Sequence, residues 1–254
     1  MTSPSHTTNK SVQRLYSSAV ATVFAELATM PICTVKTNYQ IQTPTTAKPI
    51  HTVVRDIYHT HGLRGFYASS IPAIASQVLS TTSKYTFYRW LDSHPHNPVK
   101  NKFANGLMAG IASSLMTHPF DFFKLHIQAD IPSIPLLRSN GVRVLYRGYT
   151  KTLWKVCFSS TFFFPLYDYF YSKTGRPTVS ASISAFITTL LFHPVDYMKT
   201  RHVIGMPLFL GYNPLAYYKG VSLNMARIVP HFTLTMYIID LAERELWGRS
   251  SSAS

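Results

Sequence analysis

PICTVK at residues 31–36, PFDFFK at 119–124 and PVDYMK at 194–199 are three versions of one hexapeptide: a proline, an acid or its substitute two places on, and a lysine three places after that. Each stands at the end of an apolar run. Residues 15–35 carry Glu26 as their single charge, and residues 65–83, 103–120 and 177–195 carry none. Two shorter runs, 156–167 and 228–239, lengthen once Lys155 and Arg227 are admitted. An α-helix rises about 1.5 Å per residue and a bilayer core is about 30 Å thick, so runs of this length cross a membrane or nearly do. Buried helices of a basic soluble protein are the competing reading, but six such runs leave little chain for a polar surface. Small residues, as in Gly106-x-x-x-Gly110, suit close helix packing in lipid.

The 254-residue chain has 24 Lys and Arg against 10 Asp and Glu, a net charge of +14, while 46% of residues are hydrophobic and only 13% charged. The charges lie between the apolar runs instead of forming a continuous basic stripe, which argues against nucleic acid and for an anionic solute or membrane surface. No nucleophile–base pair, metal-ligand spacing or phosphate-cradling glycine loop points to an enzyme, a metal or a cofactor. Cys33 and Cys157 are too few for a disulfide framework and read as free thiols. The opening MTSPSHTTNKSVQR is polar and lacks an apolar signal core, so any targeting information is expected to be internal.

Downstream of each hexapeptide comes an aromatic turn: HGLRGFYAS at 61–69, NGVRVLYRG at 140–148 and YKG at 218–220, each followed by a second apolar run. The unit of helix, hexapeptide, polar connection, aromatic turn and helix thus occurs three times. Proline removes a backbone donor and bends its helix. This pattern resembles the mitochondrial carrier family over nearly the whole chain. The resemblance implies an all-α membrane protein of six transmembrane helices, arranged as three pseudo-symmetric two-helix repeats around a central cavity, with both termini on one side. The repeats would span residues 1–100, 101–173 and 174–254. The short connections after Gln128 and Val203 are similar to the abbreviated form of the family found in a giant virus. Also implied are multi-pass residence in the mitochondrial inner membrane and transport by alternating access, by a monomer that needs no cofactor.

In the family, each hexapeptide acid pairs with the base of the next repeat, closing the pore from one side. Carried over, Asp121 pairs with Lys199 and Asp196 with Lys36. Cys33 stands where the first acid belongs, so Lys124 is expected to lack a partner and this gate to be weakened. Gln40 and Gln128 occupy the positions of bracing glutamines, and Val203 marks a missing brace. The opposite gate reads as degraded: Tyr88-Arg-Trp-Leu-Asp92 has its charges swapped, Asp168 is followed by Tyr171 where a base belongs, and Asp240 and Arg244 are out of spacing. Interfacial aromatics and charges account for these residues as well as a second ring does.

Ionisable residues inside a spanning helix cost about 2.5–3.5 kcal/mol at its centre, which singles out Glu26, Lys155 and Arg227. Counting seven residues from Ser69, Gly148 and Gly220 gives Ser76, Lys155 and Arg227, the related positions at which the family contacts solute. Two cations there imply an anion. Arg227 offers a planar fork and Lys155 a point charge. Asn224, three residues before Arg227, shares its helix face, as in the family's adenine nucleotide exchangers. Trp154 either stacks on a base or faces lipid. Glu26 is open to three roles: counter-ion to Lys155 or Arg227, contact to a base amino group, or proton carrier. Lys155 can alternatively snorkel to an interface and Ser76 simply permit packing. His118 and His193, which precede the motif prolines, are read as packing or water contacts and not as metal ligands. The expected activity is nucleotide exchange, with ATP, dATP or dTTP as solute. Two others stand beside it: a carboxylate, amino-acid or other small-anion carrier coupled to protons through Glu26, and a non-transporting receptor or scaffold. The partners are therefore an anionic solute and the bilayer, anionic lipids included.

Overall fold

The computed structural model describes residues 4–43, 48–93, 102–208 and 214–251. Eight α-helices follow one another: α1 Pro4–Gln40, α2 Ile50–Tyr67, α3 Ser70–Ser93, α4 Lys102–Gln128, α5 Ser133–Asn140, α6 Tyr149–Thr174, α7 Pro177–Ile204 and α8 Val221–Ser251, with 3-10 turns at Val142–Tyr146 and Pro214–Tyr218. The six long ones form a ring. Helix α1 lies beside α3, α4 beside α6 and α7 beside α8, and the most extensive packing joins α3 to α4, α6 to α7 and α8 back to α1. The boundary expected near residue 100 lies outside the described residues.

Among the described helices, Tyr16–Gln40 alone is long and apolar enough to cross a membrane by length and composition. The helices of the ring carry hydroxyl groups on their inner faces, and many of these join neighbouring helices or turn back on the backbone. Ser83 and Ser113 bridge α3 and α4 through their Oγ atoms at 2.8 Å, and Ser113 also donates to the Ser80 carbonyl. Ser180 turns its hydroxyl back on the Arg176 carbonyl at the start of its own helix. The outer surface is the reverse of a water-soluble one. Phe24, Met108, Leu115, Phe162, Phe186 and Leu190 are all exposed, as expected where lipid is the solvent.

Pro31, Pro119 and Pro194 lie inside α1, α4 and α7. The residue before each proline anchors the start of a second helix in the same repeat. His118 Nε2 meets the Arg147 carbonyl at 3.1 Å and its ring stacks on Tyr146, while His193 Nε2 meets the Lys219 carbonyl at 3.3 Å and stacks on Tyr218. Met30 takes this place in the first repeat, accepting the Ser69 hydroxyl at its sulfur. These contacts give both histidines a packing and backbone-bonding role, as the sequence suggests. Gly148 and Gly220 begin α6 and α8 with φ of 81° and 82°, a left-handed conformation that disfavours side chains. They also sit under neighbours from another repeat: a Cβ on Gly148 would lie 2.9 Å from Val203 Cγ2, and one on Gly220 would lie 3.2 Å from Gln40 Cγ. At the first repeat Ala68 is right-handed helical, so α2 runs into α3 without such a turn, and Ser69 is tolerated where the others need glycine.

Candidate functional site: a three-fold carboxylate ring below the central cavity

Where the proline-containing helices converge, three carboxylates from α1, α4 and α7 each hold one lysine from another of these three helices. Asp196 Oδ2 takes Lys36 Nζ at 2.6 Å, Asp121 Oδ2 takes Lys199 Nζ at 3.0 Å, and Glu26 Oε1 takes Lys124 Nζ at 2.5 Å. The two pairs expected from the hexapeptides are present. The third overturns the expectation that Lys124 lacks a partner and that the gate is weakened. Glu26 lies seven residues, about two helical turns, before Cys33 on α1, and its carboxylate reaches the lysine that Cys33 cannot neutralise. All three links are largely buried, Glu26 completely so, and removing one partner from such a pair costs about 3–5 kcal/mol.

The second oxygen of each carboxylate follows an equally regular rule. Asp121 Oδ1 accepts the Ser76 hydroxyl at 2.8 Å, Asp196 Oδ1 takes Lys155 at 2.5 Å, and Glu26 Oε2 takes Arg227 Nη2 at 2.7 Å. The residues seven places beyond each aromatic turn therefore all touch the ring. Glu26 is the counter-ion of Arg227; Lys155 belongs to Asp196. Gln77 Nε2 also donates to Glu26 at 3.2 Å. A cavity of 290 Å³ is lined by Lys36, Lys124, Lys155, Asp196, Asn224 and Arg227 among others.

Other expected site residues stand elsewhere or act differently. Asn224 accepts Lys36 Nζ at 2.7 Å, so it shares the gate lysine. Trp154 is 60% exposed and packs on Phe158 on the outer surface, which favours the lipid-facing of its two readings and takes it out of the solute cavity. Its neighbour Lys155 points inward because adjacent helical residues diverge by about 100°. The bracing roles of Gln40 and Gln128 are corrected too. Gln40 donates to the Lys219 carbonyl at 3.4 Å and packs on Gly220, while Gln128 accepts Thr37 at 2.7 Å and donates to Met30 sulfur. Both join helices and neither caps an ion pair, because they are turned toward the neighbouring repeat.

Lys84 escaped the sequence reading, which ended that apolar run at Ser83. It stands eight residues after Ser76, on the same face of α3, and is close enough to interact electrostatically with Asp121. Spacing from Ser76 could have revealed it. His231, one turn after Arg227, was also missed; its Nδ1 is 3.9 Å from Glu26 Oε2. At the opposite end, Arg89 lies over the Tyr85 ring and Tyr171 stacks on Tyr167. The side chains of Asp92, Asp240 and Arg244 lie outside the described residues.

A six-helix ring with proline-bent helices, closed at one end by ion pairs, defines a membrane transporter. The chain belongs to the mitochondrial carrier family: the family profile described as mitochondrial carrier protein matches residues 7–98 and 95–176. A mitochondrial carrier-like protein of Acanthamoeba polyphaga mimivirus is 43% identical over 228 residues, covering 90% of this chain and 94% of that protein. Mitochondrial thiamine pyrophosphate carrier 1 of Kluyveromyces lactis is 24% identical over 295 residues, covering 91% and 92%. Mitochondrial brown fat uncoupling protein 1 of Phodopus sungorus is 21% identical over 281 residues, covering 92% of each. Solute transport, not enzymatic chemistry, is the activity of this family.

Proposed function

We propose that this carrier exchanges phosphate-bearing anions, nucleotides first among them, across the inner mitochondrial membrane of its own or a host cell by alternating access. The observation that supports this most is the pair of cations Lys155 and Arg227, facing one cavity from related positions on α6 and α8. A triphosphate spreads charge over several oxygens and suits two separated cations, one of them a bidentate fork. The name of the Kluyveromyces lactis relative, a thiamine pyrophosphate carrier, fits the same phosphate chemistry. The carrier works as a monomer in lipid, and its three repeats span 1–100, 101–173 and 174–254.

The test is uptake of labelled ATP, dATP and dTTP into liposomes loaded with unlabelled nucleotide, with thiamine pyrophosphate and citrate as comparators. Saturable uptake of a nucleotide that needs internal nucleotide supports the reading. Uptake of citrate alone contradicts it, and the absence of any uptake favours a non-transporting scaffold. A second reading, a proton-coupled carboxylate carrier, is favoured by His231 beside Glu26. It requires transport driven by a pH gradient and a loss of that dependence in Glu26→Gln.

A further inference from the structure

We propose that Glu26 is the displaced gate carboxylate of the first repeat and the point at which solute binding is coupled to gate opening. The inference rests on the reading of Arg227 as an anion contact, and it concerns what that arginine does before solute arrives.

The three carboxylates obey one rule: one oxygen to a gate lysine, the other to a cavity-facing residue of α3, α6 or α8. In the second and third repeats the rule is met by Asp121 with Lys199 and Ser76, and by Asp196 with Lys36 and Lys155. The first repeat has Cys33 at the corresponding position, buried and unable to hold two cations. Glu26 nevertheless completes the pattern with Lys124 and Arg227. It does so from two turns higher in α1, where a glutamate's extra methylene extends its reach. Gln77 from α3 fixes the same carboxylate, so Glu26 ties α1 to three other helices.

This arrangement makes the cavity cations part of the lock. Arg227 and Lys155 are not idle before solute arrives, because each is held by a gate carboxylate. An incoming anion must compete with Glu26 for Arg227 and with Asp196 for Lys155. Winning that competition takes one of two cations from Glu26 and from Asp196, and so breaks the ties from α8 to α1 and from α6 to α7 that brace the closed gate. A ligand shifts a conformational equilibrium only through differential affinity for its two states. Here the differential is built in: the anion gains its full contact with Arg227 only when Glu26 lets go.

Two measurements test this on full-length protein in detergent. The first needs no solute. Glu26→Gln is expected to lower the unfolding temperature by about 10 °C, the scale on which a chain of this size responds to losing one partner of a buried ion pair. Adding Cys33→Asp, which returns the carboxylate to the hexapeptide beside Lys124, should recover at least half of that loss. No recovery, or no loss to begin with, overturns Glu26 as the gate carboxylate.

The second uses ATP as the probe. If Glu26 competes for Arg227, Glu26→Gln binds ATP more tightly than wild type, by roughly threefold or more for a removed competitor worth a fraction of a charge-assisted bond. Weaker binding overturns the coupling and makes Glu26 a direct solute contact. If wild-type protein binds neither ATP nor inorganic tripolyphosphate, the phosphate reading of the cavity fails, and with it the coupling; the assignment of Glu26 to the gate is then still decided by the Cys33→Asp recovery.

Discussion

Glu26 shows how much one side chain can carry when it is fully buried among cations. It lies between Lys124 and Arg227 with His231 nearby, and a charge there is tolerable only because its partners accompany it. Its ionisable character made it visible in the sequence and put Arg227 among its candidate counter-ions, but the link to Lys124 was not legible, since that lysine comes from a helix about 100 positions away. Trp154 is the converse case. An aromatic beside a cavity lysine suggests base stacking, yet the helical turn between adjacent residues sends it to the outer surface. Trp154→Ala should leave ATP affinity within about twofold by calorimetry, the small effect expected of a substitution away from the site. Lys155→Ala or Arg227→Ala should abolish the ATP-induced rise in unfolding temperature. For wild type at a hundredfold excess over Kd that rise corresponds to about 2.7 kcal/mol.

At the level of elements, the three hexapeptides announced α1, α4 and α7 and two of the three ion pairs, because Asp121, Asp196, Lys36 and Lys199 sit within a local pattern. The anchoring of each proline bend was not announced. His118 and His193 join carbonyls 29 and 26 residues away, contacts that no local spacing encodes. The brace positions misled for a related reason: the chemistry of Gln40 and Gln128 suits an ion-pair cap, but packing against the neighbouring repeat turns them aside. Gly148 is the sharpest test at this scale. Its left-handed φ and the 2.9 Å approach of Val203 predict that Gly148→Ala destabilises by about 1–2 kcal/mol, and that pairing it with Val203→Ala relieves part of the loss, as read from thermal unfolding. In the first repeat Ser69 has no such constraint, so Ser69→Ala should cost less than half as much.

For the molecule as a whole, the ring of carboxylates closes the end at which α1, α4 and α7 converge, and the cavity cations stand on the closed gate. Among the described residues α1 alone is apolar enough to cross a membrane by composition, although six helices form the ring: a helix that lines a polar cavity is half exempt from the demands of lipid. The network also predicts non-additivity. Asp121→Ala and Lys199→Ala should each destabilise, while the double substitution should cost less than their sum by about 1–3 kcal/mol, because each single change leaves a buried charge behind. The most direct measurement is counter-exchange of labelled ATP in proteoliposomes by wild type and by a Lys155→Ala/Arg227→Ala double variant. Saturable exchange by wild type that falls to the protein-free background in the variant is the predicted result. Equal exchange by the two proteins would contradict an anionic solute held between Lys155 and Arg227.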